Sequence, residues 1–219
     1  DTFLFLKEST LIGSTFFSYP EYYIGSIFGF DVGMPSAEVF TYPGAELFWK
    51  DLGTYVLVHV HAFLHIFTFG HYELHIVFIA IVGLFASLNF YKLFEKVLDL
   101  PKTILIISCF FLPSLTFWTA GLHKDVYVYF GLSLFLLALF ELQEKENRNK
   151  IAFKFIASII IIGLARHYLL ILLIPSAIAY LITLRTSRRI WTTYILVCSI
   201  SAFLGIVFVR FFLNIEVFE

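Results

Sequence analysis

IAFKFIASIIIIGLARHYLLILLIPSAIAYLITL, residues 151–184, is the stretch on which the fold turns. Read as one helix, these 34 residues would be about 50 Å long at 1.5 Å per residue. The hydrocarbon core of a bilayer is only about 30 Å thick. Arg166-His167 interrupts the stretch near its middle. Two short antiparallel spans, 151–165 and 167–184, meeting at that dipeptide fit the length better than one.

Moving outward, further apolar segments lie near 74–91, 103–119, 125–142 and 190–213. Three basic clusters separate them: Lys92, Lys96 and Lys102; then Lys145, Arg148, Lys150 and Lys154; then Arg185, Arg188 and Arg189. Basic residues favour the cytoplasmic side of a membrane. Placing all three clusters there requires an even number of crossings between neighbours. Segments 103–119 and 125–142 supply two, and 151–184 supplies two only if it turns at Arg166. The charge rule and the length argument agree. The sequence thus predicts an all-α fold, a polytopic transmembrane bundle of about six spans over 74–219. It is preceded by an external loop with interfacial helices over 1–73. Residues 53–69 carry His59, His61 and His65. Ionisable groups are costly inside a span, so an interfacial helix is preferred there. Residues 1–50, rich in Tyr, Phe, Gly and Pro with scattered acids, read as short helices and loops on the membrane surface.

Composition supports this frame. The 219 residues are 60% hydrophobic, 20% aromatic and 14% charged. The mean hydropathy is +0.89. A soluble domain carries about 25% charged residues, so an ordinary soluble enzyme, a basic nucleic-acid-binding domain and a disordered chain are all excluded. With 15 Lys/Arg against 16 Asp/Glu, net charge names no anionic partner. Cys109 and Cys198 lie in apolar runs and read as two buried thiols. The opening at Asp1 has no basic stretch or cleavage site of a signal peptide. The abrupt start and the end at Glu219 suggest an excerpt of a longer protein.

Hydrophobicity leaves some polar residues unexplained, and the predicted topology puts them on one side. In Pro113–Asp125, Pro113 ends or kinks a rising helix, Trp118 suits interface depth, and His123, Lys124 and Asp125 crowd the next helix start. Asp125 suits that start because the helix dipole favours an acid. Lys124 does not, and wants a partner: Asp125 or a bound anion. Arg166, between apolar runs, must face protein or a wet cavity. Its planar fork matches phosphate, or an acid such as Asp125. The histidines invite a metal reading, because His71 and His75, like His61 and His65, sit at i, i+4. Glu73 is one place late for His-Glu-x-x-His, and rings at the membrane interface are the simpler account. Gly25-x-x-x-Gly29 lies outside any span and is discounted as a helix-packing motif.

PSLTFWTAGLHKD, residues 113–125, resembles the Pro-Ser-x-x-Phe-Trp-[Ser/Thr]-[Ser/Ala]-Gly-x-x-Lys-[Glu/Asp] stretch of bacterial GT-C glycosyltransferases, near the dolichyl-phosphate-mannose-protein mannosyltransferase and aminoarabinose transferase branches. Phe69-Gly70-His71-Tyr72 with His75, and Gly163-Leu164-Ala165-Arg166-His167-Tyr168, are similar to further stretches of that family. The resemblance covers roughly 53–185. It implies an integral membrane glycosyltransferase of the bacterial inner membrane with an extracytoplasmic active site. The donor would be a polyprenyl-phosphate-linked sugar and the acceptor a lipid-linked glycan or other envelope molecule, in contact with membrane lipids and without nucleic acid. It implies Asp1 as catalytic base, Lys124 and Arg166 as phosphate holders, and Trp118, His167 and Asp125 around the substrate. No cofactor is called for, and a divalent metal is left open. The chain departs from the family pattern in lacking the first span and the later ones.

Two other classes compete. A polysaccharide polymerase or ligase also joins lipid-linked sugars at outer loops. A flippase or transporter predicts charges along a mid-membrane path. The segments 74–91 and 103–119 carry none, and 190–213 carries only Arg210.

Overall fold

The computed structural model describes residues 2–27, 52–69, 71–119, 121, 123–143, 148–185 and 190–212. Asp1 and residues 28–51 lie outside them, so the expected surface loops of 28–50 and the proposed base are not placed. Most of the described residues are helical, with no strand among them. They form α1 (Thr2–Ser18), α2 (Pro20–Ile27), α3 (Leu52–Thr68), α4 (Tyr72–Val97), α5 (Lys102–Phe110), α6 (Pro113–Thr119), α7 (Lys124–Glu141), α8 (Arg148–Arg166), α9 (Tyr168–Arg185) and α10 (Ile190–Phe212). The all-α expectation holds. Helix α4 is long and apolar enough to cross a membrane, at 26 residues and a mean hydropathy of 2.0 over its most apolar window. It is the one such helix among the described residues. Shorter apolar helical stretches run over Gly53–Thr68, Lys102–Phe117, Tyr168–Leu184 and Ile190–Gly205.

The segment 103–119 departs from a single rod. It divides into α5 and α6 at Phe111-Leu112. Pro113 is the cause, because it has no N–H to offer the Cys109 carbonyl and its ring crowds the preceding turn. It is tolerated as the first residue of α6, where that N–H would be unused. Helix α4 runs past the expected 74–91 to Val97 and ends in the first basic cluster. The 151–184 stretch breaks at His167, a turn residue between α8 and α9.

Packing divides the chain into two compact units, Asp1–Arg166 and His167–Glu219. The expected division at residue 73 was one of membrane disposition, which packing does not address. In the first unit α7 lies against both α4 and α8, and α3 packs on α1 and meets α4 and α8. Small residues bring the helices close. A Cβ on Gly131 of α7 would stand 2.7 Å from Ile162 Cγ1 of α8. A Cβ on Gly83 of α4 would stand 3.2 Å from Thr119 Cβ of α6. Between α4 and α7, Asn89 Nδ2 donates to Ser133 Oγ at 3.2 Å and the rings of Phe90 and Tyr129 stack at 4.9 Å. Close backbone approach with interhelical polar bonds is how helices associate in lipid. Ile12, Tyr23, Val58 and Ala62 form the buried seam of α1, α2 and α3. So α1 and α2 are the helices expected within 1–50, and α1 is packed on α3.

In the second unit α9 packs on α10. Both leave large apolar side chains exposed, among them Ile171 at 75%, Trp191 at 81% and Phe203 at 66%. Cys198 is exposed on α10, which corrects the expectation of two buried thiols; Cys109 is buried. The apolar run around Cys198 reflects a helix that is apolar all round, so membership of the run does not fix which side faces in.

Candidate functional site

Helices α3, α4, α7 and α8 border an open cavity of about 320 Å³. Its wall is apolar on nearly every side. Val56, Leu57 and Val60 come from α3, Val82 from α4, Phe130 from α7, and Ile161, Leu164 and Ala165 from α8. Residues spaced three and four apart on α3 and α8 line it because they share a helix face. Lys124 and Tyr127 of α7 line it as well, through their apolar parts, so that almost none of the lining surface is polar.

Lys124 is the first residue of α7 and Asp125 the second. The Lys124 ammonium donates to Thr54 Oγ1 of α3 at 2.5 Å. The predicted need for a partner is met in part by this hydroxyl, a contact that sequence separation of 70 residues hides. Asp125 accepts a hydrogen bond from the Arg166 guanidinium, Nη2 to Oδ1 at 3.1 Å. Both side chains are near 40% exposed, so the pair itself adds little stability. Its importance is positional. Arg166 follows Ala165, which lines the cavity, and Asp125 follows Lys124, which also lines it. The Arg166–Asp125 pair and Lys124 therefore belong to residues at or next to the cavity wall, at the start of α7 and the end of α8.

Two further expected site residues are Trp118 and His167. Trp118 is in α6, with its side chain outside the described set. His167 is exposed and packs edge-on against Tyr168 with centroids 6.2 Å apart. It belongs to the second unit.

A second polar group was misjudged from sequence. His61 and His75, expected as wet interfacial rings, are 2% and 0% exposed. Their Nδ1 atoms face each other at 3.4 Å, and His75 Nε2 lies 2.7 Å from the Thr68 hydroxyl, also fully buried. The turn between α3 and α4 makes this possible. Phe69 sits at φ 50, a left-handed conformation that bulky residues rarely adopt. This lets α4 start close behind α3 and brings residue 75 to residue 61. Burial pushes the His61 imidazole down to about 4, with the neighbouring His75 adding to the effect. The sequence signal was the pair of i, i+4 histidines. What it lacked was the turn that opposes them. Among the described residues no three His, Cys, Asp or Glu side chains stand together in ligating geometry.

No protein-family model matches the chain, and neither a curated protein nor a solved structure resembles it at a significant level. The site's geometry therefore carries the functional argument.

Proposed function

We propose that the chain is part of an integral membrane glycosyltransferase that moves a sugar from a polyprenyl-phosphate donor to an extracytoplasmic acceptor. The observation that carries this reading is the apolar cavity with Lys124 in its wall and the Arg166–Asp125 pair beside it. A hydrocarbon tail suits such a wall, and a phosphate suits the two cations. As the glycosyl C–O bond breaks, negative charge grows on the departing phosphate. Fixed cations stabilise that charge more than they stabilise the bound donor. An acceptor hydroxyl attacks the sugar carbon and gives its proton to a base, the role assigned to Asp1. Asp125 holds the guanidinium in place until the phosphate arrives.

The membrane arrangement is part of the proposal: six crossings near 74–91, 103–119, 125–142, 151–165, 167–184 and 190–213, with Arg166 toward the outer side of a bacterial inner membrane. The exposed apolar side chains of α9 and α10 support it, because a patch of that size facing water is an aggregation site. The break of the helical stretch at His167 supports the turn.

The test uses the full-length protein in lipid vesicles with a radiolabelled polyprenyl-phosphate monosaccharide. Label should move to a lipid-linked glycan, and Arg166→Ala should abolish the transfer while leaving membrane insertion intact. Normal transfer by Arg166→Ala removes the phosphate role. Transfer only from a polyprenyl-pyrophosphate oligosaccharide would favour a polymerase or ligase instead.

A further inference from the structure

The buried histidines are not used by that reading, and they carry an inference independent of it. We propose that His61 and His75 form an acid-released latch. While both rings are neutral they hold α3 to the start of α4, and proton uptake parts them and frees α3 from the cavity that it helps to wall.

Two imidazoles that face each other through Nδ1 can share one hydrogen and not two. The Nδ1 atoms of His61 and His75 are 3.4 Å apart, so one carries the hydrogen and the other presents its lone pair. Thr68 Oγ1 lies 2.7 Å from His75 Nε2. With His75 Nε2–H donating to that hydroxyl, His75 Nδ1 is the acceptor and His61 Nδ1–H the donor. The remaining lone pair is on His61 Nε2, a buried atom with no hydrogen-bond partner. An added proton then has no good place. On His75 Nδ1 it points two N–H groups at each other. On His61 Nε2 it makes a buried imidazolium with no acceptor, and burying an unpaired charge is strongly disfavoured. The opposite assignment exchanges the roles of the two Nδ1 atoms and meets the same obstacles.

Among the described residues no carboxylate acts on either ring. On α3, His65 acts on His75 and opposes a second positive ring. On α4, Tyr72 packs beside Ile79 and Glu73 is exposed. On α7, Tyr127 stands edge-on to His61 at 6.4 Å, and Lys124 is bonded to Thr54, about two turns before His61. On α1, Ile12 packs against Val58 and Ala62, and Lys7 is exposed. On α8, Ile161, Leu164 and Ala165 face α3 across the cavity, and Arg166 is paired with Asp125. The link from the rings to the cavity is short. Val60, next to His61, lines it, and so does Tyr127. The turn that opposes the rings bends at Phe69, at φ 50, a conformation that persists only where surrounding contacts enforce it. Parting the rings removes one such contact. Burial holds His61 at about 4, against about 6.5 for an exposed imidazole. Above about 6.5 the latch is fully engaged. As pH falls between those values only the parted form takes up the proton, so parting gains about tenfold per pH unit, about 300-fold in all.

The experiment uses the full-length protein in lipid vesicles, with Cys109→Ala and Cys198→Ala. Spin labels go on cysteines placed by Phe63→Cys on α3 and Phe85→Cys on α4, both exposed positions. Between about pH 7 and about pH 4, the range over which His61 responds, the distance between labels should shift reversibly to a second, longer population. Far-UV circular dichroism should hold steady. His61→Gln with His75→Gln supplies amides that take up no proton in this range and should abolish the shift. His71→Gln, at an exposed position, should keep it. One unchanged distance at both ends of the range in the parent chain overturns the proposal, whether or not the glutamine variant folds. So does a shift that persists in the glutamine variant, and so does one that appears only together with loss of helix content, which is acid unfolding.

Discussion

Glu141 is the last residue of α7, and its side chain is only 9% exposed. An acid at a helix C-terminus opposes the helix dipole, and a buried one also loses hydration. Lys154 of α8 offsets both, with its ammonium donating to Oε1 at 2.8 Å and Oε2 at 2.7 Å. Lys154→Met removes the cation and keeps the length of the side chain. Breaking one partner of a buried pair costs about 3–5 kcal/mol. Because Lys154 is about a third exposed, the lower end applies, about 3 kcal/mol. That is more than a hundredfold in the folding equilibrium. The double variant Glu141→Leu with Lys154→Met should recover most of that loss, since apolar replacement of both partners is often neutral. Denaturant unfolding of the full-length protein in detergent, followed by far-UV circular dichroism, measures all three. A loss under about 1 kcal/mol for Lys154→Met, or a double variant no better than the single, refutes the view that this pair holds α7 to α8.

Other expectations follow from the same structure. Gly131→Ala forces a Cβ to 2.7 Å from Ile162 Cγ1 and should cost about 1–3 kcal/mol by overpacking, read as a lower unfolding midpoint. Lys124→Met should weaken binding of a polyprenyl-phosphate lipid about 10–100-fold, in keeping with loss of one charged hydrogen bond, measured by native mass spectrometry; Lys124→Arg should retain most of it. Pro113→Ala restores an N–H where α5 and α6 divide, and should raise helix content and join the two, seen as slower amide exchange over 109–116. A membrane-impermeant thiol reagent on intact cells should label a cysteine placed at 167 and spare one placed at 188; the reverse pattern inverts the proposed topology.

The helical architecture was legible in the sequence where a local feature decides it. The break at Arg166-His167 follows from length, the division at Pro113 from a missing N–H, and the start of α7 from Asp125 beside a run of apolar residues. What could not be read was the opposition of side chains from different helices. Thr54 meets Lys124 across 70 residues, and Glu141 meets Lys154 although both sit in what looks like a solvated charged stretch. His61 and His75 have the composition of surface rings, and only the left-handed turn at Phe69 puts them inside. Periodicity fixes the face of one helix; it says nothing about which face of another helix lies opposite. Asp125 with Arg166 was foreseen as one of two partners for the guanidinium, since the choice between an acid and a phosphate depends on that same opposition.

In the proposed six-span arrangement, the division at Pro113 has a consequence for the surrounding lipid. At nine residues α5 reaches about 14 Å, roughly half the depth of a bilayer's oily interior. With 103–119 as a crossing, annular lipids on that flank would pinch inward, or water would follow the chain down to the gap. Either response draws headgroups deeper than they sit elsewhere, so a phosphate travelling sideways toward the start of α7 would descend along a dent rather than climb over a wall.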